Sequence, residues 1–109
     1  MYNLFIGRYQ PLHEGHVKLI RTVLDEGKKV CIALRKEDGT KDNPYTQQER
    51  LKMFEKEFYK EISGGNLEVV FVPNVTTVCH GRKVGWGVRE IKLDTETESI
   101  SATKIRRGE

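Results

Sequence analysis

The fold is decided by the stretch Gly7-Arg8-Tyr9-Gln10-Pro11-Leu12-His13-Glu14-Gly15-His16. The apolar run Tyr2–Ile6 before it contains aromatic and β-branched residues, which predicts a buried strand. After it, apolar residues recur at helical spacing until Gly27, which predicts a helix that ends there. Because Pro11 bars a continuous helix, we expect the turn at Gly7–Leu12 and the helix start near His13–Gly15.

Two histidines stand three residues apart at this predicted helix start. His13 and His16 would project from one side of the first turn. Free backbone N–H groups and the positive end of the helix dipole meet there, and such a place suits a phosphate group. The alternative is two unrelated histidines, one capping the helix and the other exposed.

The ten-residue stretch resembles the HxGH nucleotidyltransferase superfamily. Its lead-in, Gly-Arg-aromatic-Gln-Pro, is most similar to that of the nicotinamide mononucleotide (NMN) adenylyltransferases, whereas cytidylyltransferases usually carry Gly-Thr-Phe-Asp there. The resemblance implies nucleotidyl transfer: a phosphorylated acceptor attacks the α-phosphorus of a nucleoside triphosphate in line, and pyrophosphate leaves without a covalent enzyme intermediate. We expect Mg²⁺ to come with the triphosphate, because the sequence shows no dedicated carboxylate cluster for it.

Composition indicates one soluble globular domain over residues 1–109. The chain has 37% hydrophobic and 32% charged residues, with no run long enough to cross a membrane and nothing like a signal peptide. Its formal net charge of +3 is too slight to argue for nucleic acid. Cys31 and Cys79 make no disulfide framework and no zinc pattern, so we expect a reducing, cytoplasmic setting.

The pattern of strands predicts an α/β fold. Lys29–Arg35 reads as a second strand buried on both faces, Leu67–Val72 as a third, and residues 88–93 as a fourth. Strand, helix and strand within about 35 residues form a βαβ unit with parallel strands. We therefore predict a Rossmann-like open parallel sheet of about four or five strands with flanking helices, and a ligand site at the carboxyl ends of strands one and four.

A second helix is predicted after the polar loop 36–43. Thr46 and Glu49 fit a capping box, and the buried stripe would contain Leu51, Phe54, Phe58 and Ile62. The segment Asn-Pro-aromatic-Thr-x-x-Glu-Arg also resembles the NMN adenylyltransferases. A good cap needs no other explanation, so this segment supports the family and not a catalytic role.

The end of the chain reads Ile-Ser-Ala-Thr-Lys-Ile-Arg-Arg over residues 100–107 and predicts a short helix with Ser101 as its N-cap. Basic residues close to a helix start are poorly matched to the dipole unless an anion lies there. The run resembles the second signature of the superfamily, which holds the β and γ phosphates. The alternative is a solvated basic tail.

The resemblance implies the following site residues. His13 and His16 would contact the bridging and α-phosphate oxygens, backbone N–H groups near Gly15 would let the phosphate come close, and Arg106 would hold the β and γ phosphates. We predict a catalytic set of His13, His16 and Arg106, and a nucleotide-binding set of Gly7, Arg8, Tyr9, Gly15, Arg35, Lys36, Lys41, Ser101 and Thr103. Arg82 and Trp86 are weaker candidates for substrate binding, and no residue is assigned to a metal.

Several alternatives remain open at this stage. The expected partners are a nucleoside triphosphate (ATP or CTP) and a phosphorylated small molecule such as NMN; no membrane and no nucleic acid is expected, and homo-oligomerisation is left open. ATP is favoured by the lead-in and by the lack of an arginine in residues 96–99, where cytidylyltransferases commonly carry one. The chain is shorter than typical NMN adenylyltransferases, which leaves the acceptor open. The other function classes are a catalytically idle nucleotide-binding module and a nucleic-acid-binding domain.

Overall fold

A computed structural model describes residues 1–36, 40–79, 81 and 87–91 of the chain. The elements in chain order are β1 (Tyr2–Gly7), α1 (Glu14–Leu24), β2 (Lys29–Arg35), α2 (Gln47–Glu57), α3 (Tyr59–Ser63) and β3 (Leu67–Val72). The helix start at Glu14 and the bounds of β2 and β3 agree with the sequence prediction. None of the helices in the described ranges is both long enough and apolar enough to cross a membrane.

The three strands form one parallel sheet in the order β1-β2-β3. Gly7 pairs with Leu34, and Leu34 pairs with Phe71, so the carboxyl ends of all three strands lie along one edge. This arrangement confirms the predicted parallel α/β architecture. Of the four or five predicted strands, the described part of the chain contains three; residues 88–91 are not in a strand, and residues 92 and 93 lie outside the described ranges.

The core lies on one face of the sheet. Both crossovers move in the same direction across the sheet, and right-handed crossovers then place their helices on the same side. That face brings together buried side chains from α1, β2, α2 and β3: Ile20, Val23, Val30, Ile32, Leu34, Phe54, Phe58 and Leu67. On the opposite face, the side chains of Tyr2, Leu4, Ile6 and Val70 are exposed.

The second helix departs from its predicted form. Its capping box at Thr46 and Glu49 is present, which confirms that prediction. The helix breaks at Phe58, where φ is −115° and ψ is 33°, so α2 and α3 replace the single predicted helix. Phe54 and Phe58 are buried as predicted, whereas Leu51 and Ile62 are only partly covered. Arg50 takes the buried place one turn before Phe54.

Candidate functional site

The carboxyl edge of the sheet carries the turn that joins β1 to α1. β1 ends at Gly7, and His13 is the N-cap of α1 with an extended backbone (φ −134°, ψ 176°). The first turn of α1 therefore lies where parallel α/β sheets usually bind their ligands. The structure thus places His13, Gly15 and His16 at the predicted edge.

The two histidines form a reciprocal capping box, in which the His13 side chain accepts from the backbone N–H of His16 and the His16 side chain accepts from that of His13. His13 Nδ1 also accepts a hydrogen bond from the backbone N–H of Gly15 at 3.1 Å, and the bond from the His13 N–H to His16 Nδ1 measures 3.2 Å. The rings stack with their centroids 3.7 Å apart. Both Nδ1 atoms act as acceptors, so both rings are neutral and carry their hydrogen on Nε2. The turn therefore provides two imidazole Nε2–H donors side by side.

Burial favours the neutral form of both rings. It lowers the pKa of His13 below its usual value. The pKa of His16 falls to about 4, mainly through burial and secondly through the neighbouring His13. The backbone N–H of Gly15 already donates to His13 Nδ1, so it is not free to donate to a phosphate. The Nε2–H groups of the two imidazoles remain as donors at the start of the helix. His16 is not the exposed histidine of the alternative interpretation.

The ring of Tyr9 packs against the ring of His16. The tyrosine backbone is left-handed (φ 52°), and its side chain is only 6% exposed. The ring meets the rings of His16 and Phe54 edge-on, at centroid distances of 4.7 Å and 4.9 Å. A Cβ at Gly7 would lie 3.0 Å from two carbons of the Tyr9 ring, so a larger residue there would push against that ring. Gly7 and Tyr9, both predicted to bind nucleotide, form a packing unit beneath the histidine pair; direct contact with a nucleotide stays a prediction.

The turn after β1 is joined to the segment before α2 by hydrogen bonds that the sequence interpretation missed. Gln10, 1% exposed, donates through Nε2 to the carbonyl of Tyr45 and accepts at Oε1 from the N–H of Tyr45, both at 2.8 Å. Arg8 Nη1 donates to Asn43 Oδ1 at 3.0 Å. The Asn-Pro-Tyr-Thr segment therefore borders the site, and the only signal for this was that it resembled the same family as the ten-residue stretch.

Arg50 is the second residue that was missed. Its guanidinium, fully buried, donates from Nη1 to the carbonyl oxygens of Arg8 at 2.8 Å and Arg35 at 2.6 Å. Its Nε donates to the carbonyl of Thr46 at 3.3 Å. The spacing offered a signal: Arg50 lies four residues before Phe54 and eight before Phe58, on the buried face of the helix.

Four predicted basic residues lie near the same edge. Arg8 and Arg35 are half-buried at the ends of β1 and β2, and the guanidinium of Arg35 donates to Asn74 Oδ1. Lys36 is exposed directly after β2, and Lys41 is exposed in the turn that leads to Asn43. The remaining predicted site residues lie outside the described ranges: Arg82, Trp86, Ser101, Thr103 and Arg106.

In the described ranges, no group of three or more His, Cys, Asp or Glu side chains could hold a metal ion. These residues therefore do not fit a resident Mg²⁺ site.

Known proteins with similar sequences are nicotinamide-nucleotide adenylyltransferases by name. The chain is 35% identical over 78 residues to a nicotinamide-nucleotide adenylyltransferase of Thermococcus sibiricus, covering 69% of this chain and 42% of that protein. A protein of the same name from Pyrococcus horikoshii is 31% identical over 87 residues, covering 69% and 47%. A third, from Methanococcus aeolicus, is 29% identical over 132 residues, covering 98% and 76%. The chain spans about half the length of the first two relatives.

The family comparison covers the β1–α1 turn and the segment that borders it. Residues 4–64 match the cytidylyltransferase-like family model, and this range contains the β1–α1 turn, both histidines and all of α2. The match extends over more than half of the chain. The chain therefore belongs to the cytidylyltransferase-like family.

Proposed function

We propose that the chain transfers AMP from ATP to the phosphate of a mononucleotide such as NMN and releases pyrophosphate. The observation that carries this proposal is the pair of neutral imidazoles, His13 and His16, fixed as Nε2–H donors at the carboxyl edge of the sheet. Preorganised donors of this kind stabilise charge that develops on phosphoryl oxygens.

The chemistry requires positioning rather than a nucleophilic side chain. An oxygen of the acceptor phosphate forms a bond to the α-phosphorus of ATP, and the bond from that phosphorus to the oxygen bridging to the β-phosphate breaks. The leaving pyrophosphate carries away the electron pair. In this proposal, His13 and His16 donate to the α-phosphate and bridging oxygens. Arg8 and Arg35, with Lys36 and Lys41, balance the remaining negative charge.

The second signature supplies the other half of the proposed site. Ser101, Thr103 and Arg106 would hold the β and γ phosphates. Mg²⁺ would screen the triphosphate charge when bound, and no step of the proposal depends on a protein ligand to it. Gly7, Tyr9 and Gly15 shape the turn, while Arg82 and Trp86 remain candidates for contact with the acceptor.

The choice of substrates rests on the sequence relatives. Proteins similar to this chain are named nicotinamide-nucleotide adenylyltransferases, and one from Acinetobacter baylyi, 37% identical over 62 residues, is named for both nicotinamide and nicotinic acid mononucleotide. The second candidate function is transfer of CMP from CTP to a phosphorylated alcohol, which the description of the matched family favours.

A substrate screen tests the proposal. Each of the four nucleoside triphosphates is combined with NMN, nicotinic acid mononucleotide or glycerol phosphate in the presence of Mg²⁺. Pyrophosphate release and the mass of the nucleotidyl product are then followed. We expect turnover with ATP and a mononucleotide. Turnover with CTP alone would assign the protein to the second function, and triphosphate binding without any product would indicate an idle nucleotide-binding module.

A further inference from the structure

Arg50 joins three parts of the chain that are far apart in sequence. It lies in the first half of α2 and is fully buried. Its Nη1 donates to the carbonyl of Arg8, the residue after β1, and to that of Arg35, the last residue of β2. Its Nε donates to the carbonyl of Thr46, the N-cap of α2. One rigid guanidinium therefore fixes the carboxyl ends of two neighbouring strands relative to α2.

These contacts lead directly to the histidine pair. Arg8 directly precedes Tyr9 in the sequence. Tyr9 has a left-handed backbone, and its ring contacts the ring of His16. Phe54, one helical turn after Arg50, contacts the same tyrosine ring. The strained backbone of Tyr9 persists only where its surroundings determine it. Arg50 holds the backbone on one side of Tyr9, and Phe54 packs against the ring.

We propose that Arg50 is a positioning residue that sets the placement of the His13–His16 donor pair through Arg8 and Tyr9. The expected change in kcat rests on the proposed function. The expected change in the surroundings of His16 does not, because it can be measured without any substrate. Arg50 acts through the backbone carbonyls and does not itself touch the reacting phosphate. A shift of about 1 Å in such a pair costs about 100-fold in rate.

The positioning role explains why residue 50 is an arginine. The carbonyls of Arg8 and Arg35 both accept from Nη1, and Nε reaches a third carbonyl. A lysine side chain is one atom shorter and ends in a single nitrogen, so it lacks the Nε donor and does not reach the position of Nη1. A methionine fills a similar volume but leaves the carbonyls of Arg8 and Arg35 without that donor. Arg50→Lys and Arg50→Met therefore remove the positioning contacts while the apolar contacts of Phe54 and Phe58 with the core remain.

Arg21 provides a matched control. It also joins helices, through ion pairs with Glu61 at 2.8 Å and Glu57 at 3.5 Å and through its position over the ring of Phe58. It lies in the last turn of α1, away from the carboxyl edge. Arg21→Met should therefore lower the melting temperature without moving the histidines.

The experiment compares wild type, Arg50→Lys, Arg50→Met and Arg21→Met below their melting temperatures. The pKa of His16 is followed by NMR through its ring Cε1–H, and kcat and KM are measured with ATP and NMN. In both Arg50 variants we expect the pKa of His16 to rise from about 4 toward the usual value for histidine, because His13 and Tyr9 no longer enclose the ring as closely. We expect kcat to fall about 30- to 100-fold with a much smaller change in KM. Arg21→Met should keep the wild-type pKa and kcat.

Two results would overturn the proposal. One is an Arg50→Lys or Arg50→Met protein that keeps both the low His16 pKa and the wild-type kcat. The other is failure of both variants to fold, which would make Arg50 a residue of the scaffold alone. If the wild-type chain has no transferase activity, the proposed function fails, whereas the pKa comparison still decides whether Arg50 places the histidines.

Discussion

The two helices that border the site begin with the same hydrogen-bond pattern built from different side chains. At α2, the Thr46 hydroxyl accepts from the N–H of Glu49, and Glu49 Oε1 accepts from the N–H of Thr46, both at 3.1 Å. At α1, His13 and His16 make the reciprocal pair through their Nδ1 atoms. Both starts satisfy backbone N–H groups that a helix cannot pair internally.

The difference lies in what remains after capping. Thr46 and Glu49 end the hydrogen-bond chain in exposed side chains, and the carboxylate places a negative charge at the helix start. An imidazole has a second nitrogen, so each histidine still carries an Nε2–H after its Nδ1 has capped the helix. The same motif therefore stabilises both helices, and in α1 it leaves two Nε2–H donors. In the proposed reaction, each of the two imidazoles would cap the helix through Nδ1 and donate to phosphate through Nε2.

The largest expected effect comes from giving α1 the cap of α2. In His13→Thr/His16→Glu the capping box is preserved, so we expect the free energy of unfolding to stay within about 1 kcal/mol of wild type. Turnover should fall more than about 1,000-fold, because both donors are lost and a carboxylate faces the phosphate. Pyrophosphate release and denaturant unfolding of the same samples measure the two quantities.

The single variant His16→Ala separates donor loss from charge repulsion. We expect it to reduce turnover by about 100- to 1,000-fold, the usual cost of one such donor. Turnover close to wild type in the double variant would show that capping is the only role of the pair.

An intermediate effect concerns pH, which should act on the start of α1 through His16. The pKa of His16 is about 4 in the folded protein, against about 6.5 for an unperturbed histidine. As pH falls from about 6.5 to 4, the unfolded chain takes up a proton that folded His16 does not, so the free energy of unfolding decreases. After allowance for partial solvent exposure, we expect a loss on the order of 1–2 kcal/mol from this residue. Urea unfolding at several pH values in this window measures it.

His16→Gln is the matched control for that titration. A glutamine at this position can still accept from the backbone N–H of His13, as in an ordinary capping box, but it does not titrate. The variant should therefore lose part of the pH dependence between about 6.5 and 4. An identical pH profile in wild type and His16→Gln would mean that His16 is not held neutral by the fold.

The sequence predicted the α2 cap and the βαβ framework because each rests on short-range patterns. Apolar runs marked β1, β2 and β3, and Thr-x-x-Glu is a recognised start signal. The histidine pair was located correctly, but its hydrogen bonds were not predicted, because sequence alone does not show which imidazole nitrogen meets which backbone N–H. Arg50 was missed because charged residues are usually exposed, and its contacts with the carbonyls of Arg8 and Arg35 join positions that are far apart in sequence.

The smallest expected effect tests whether the α2 cap is purely structural. Thr46→Ala removes the hydroxyl that accepts from Glu49 but keeps the carbonyl that accepts from Arg50. We expect a loss of about 1 kcal/mol in the free energy of unfolding, the usual cost of an N-cap, and turnover within about twofold of wild type. Thr46→Ser, which keeps the hydroxyl, should restore most of the stability. A fall in turnover of more than twofold, at a temperature where Thr46→Ala is fully folded, would show that the α2 cap also positions the site residues. Both helix starts would then contribute to turnover, and only the size of their contributions would differ.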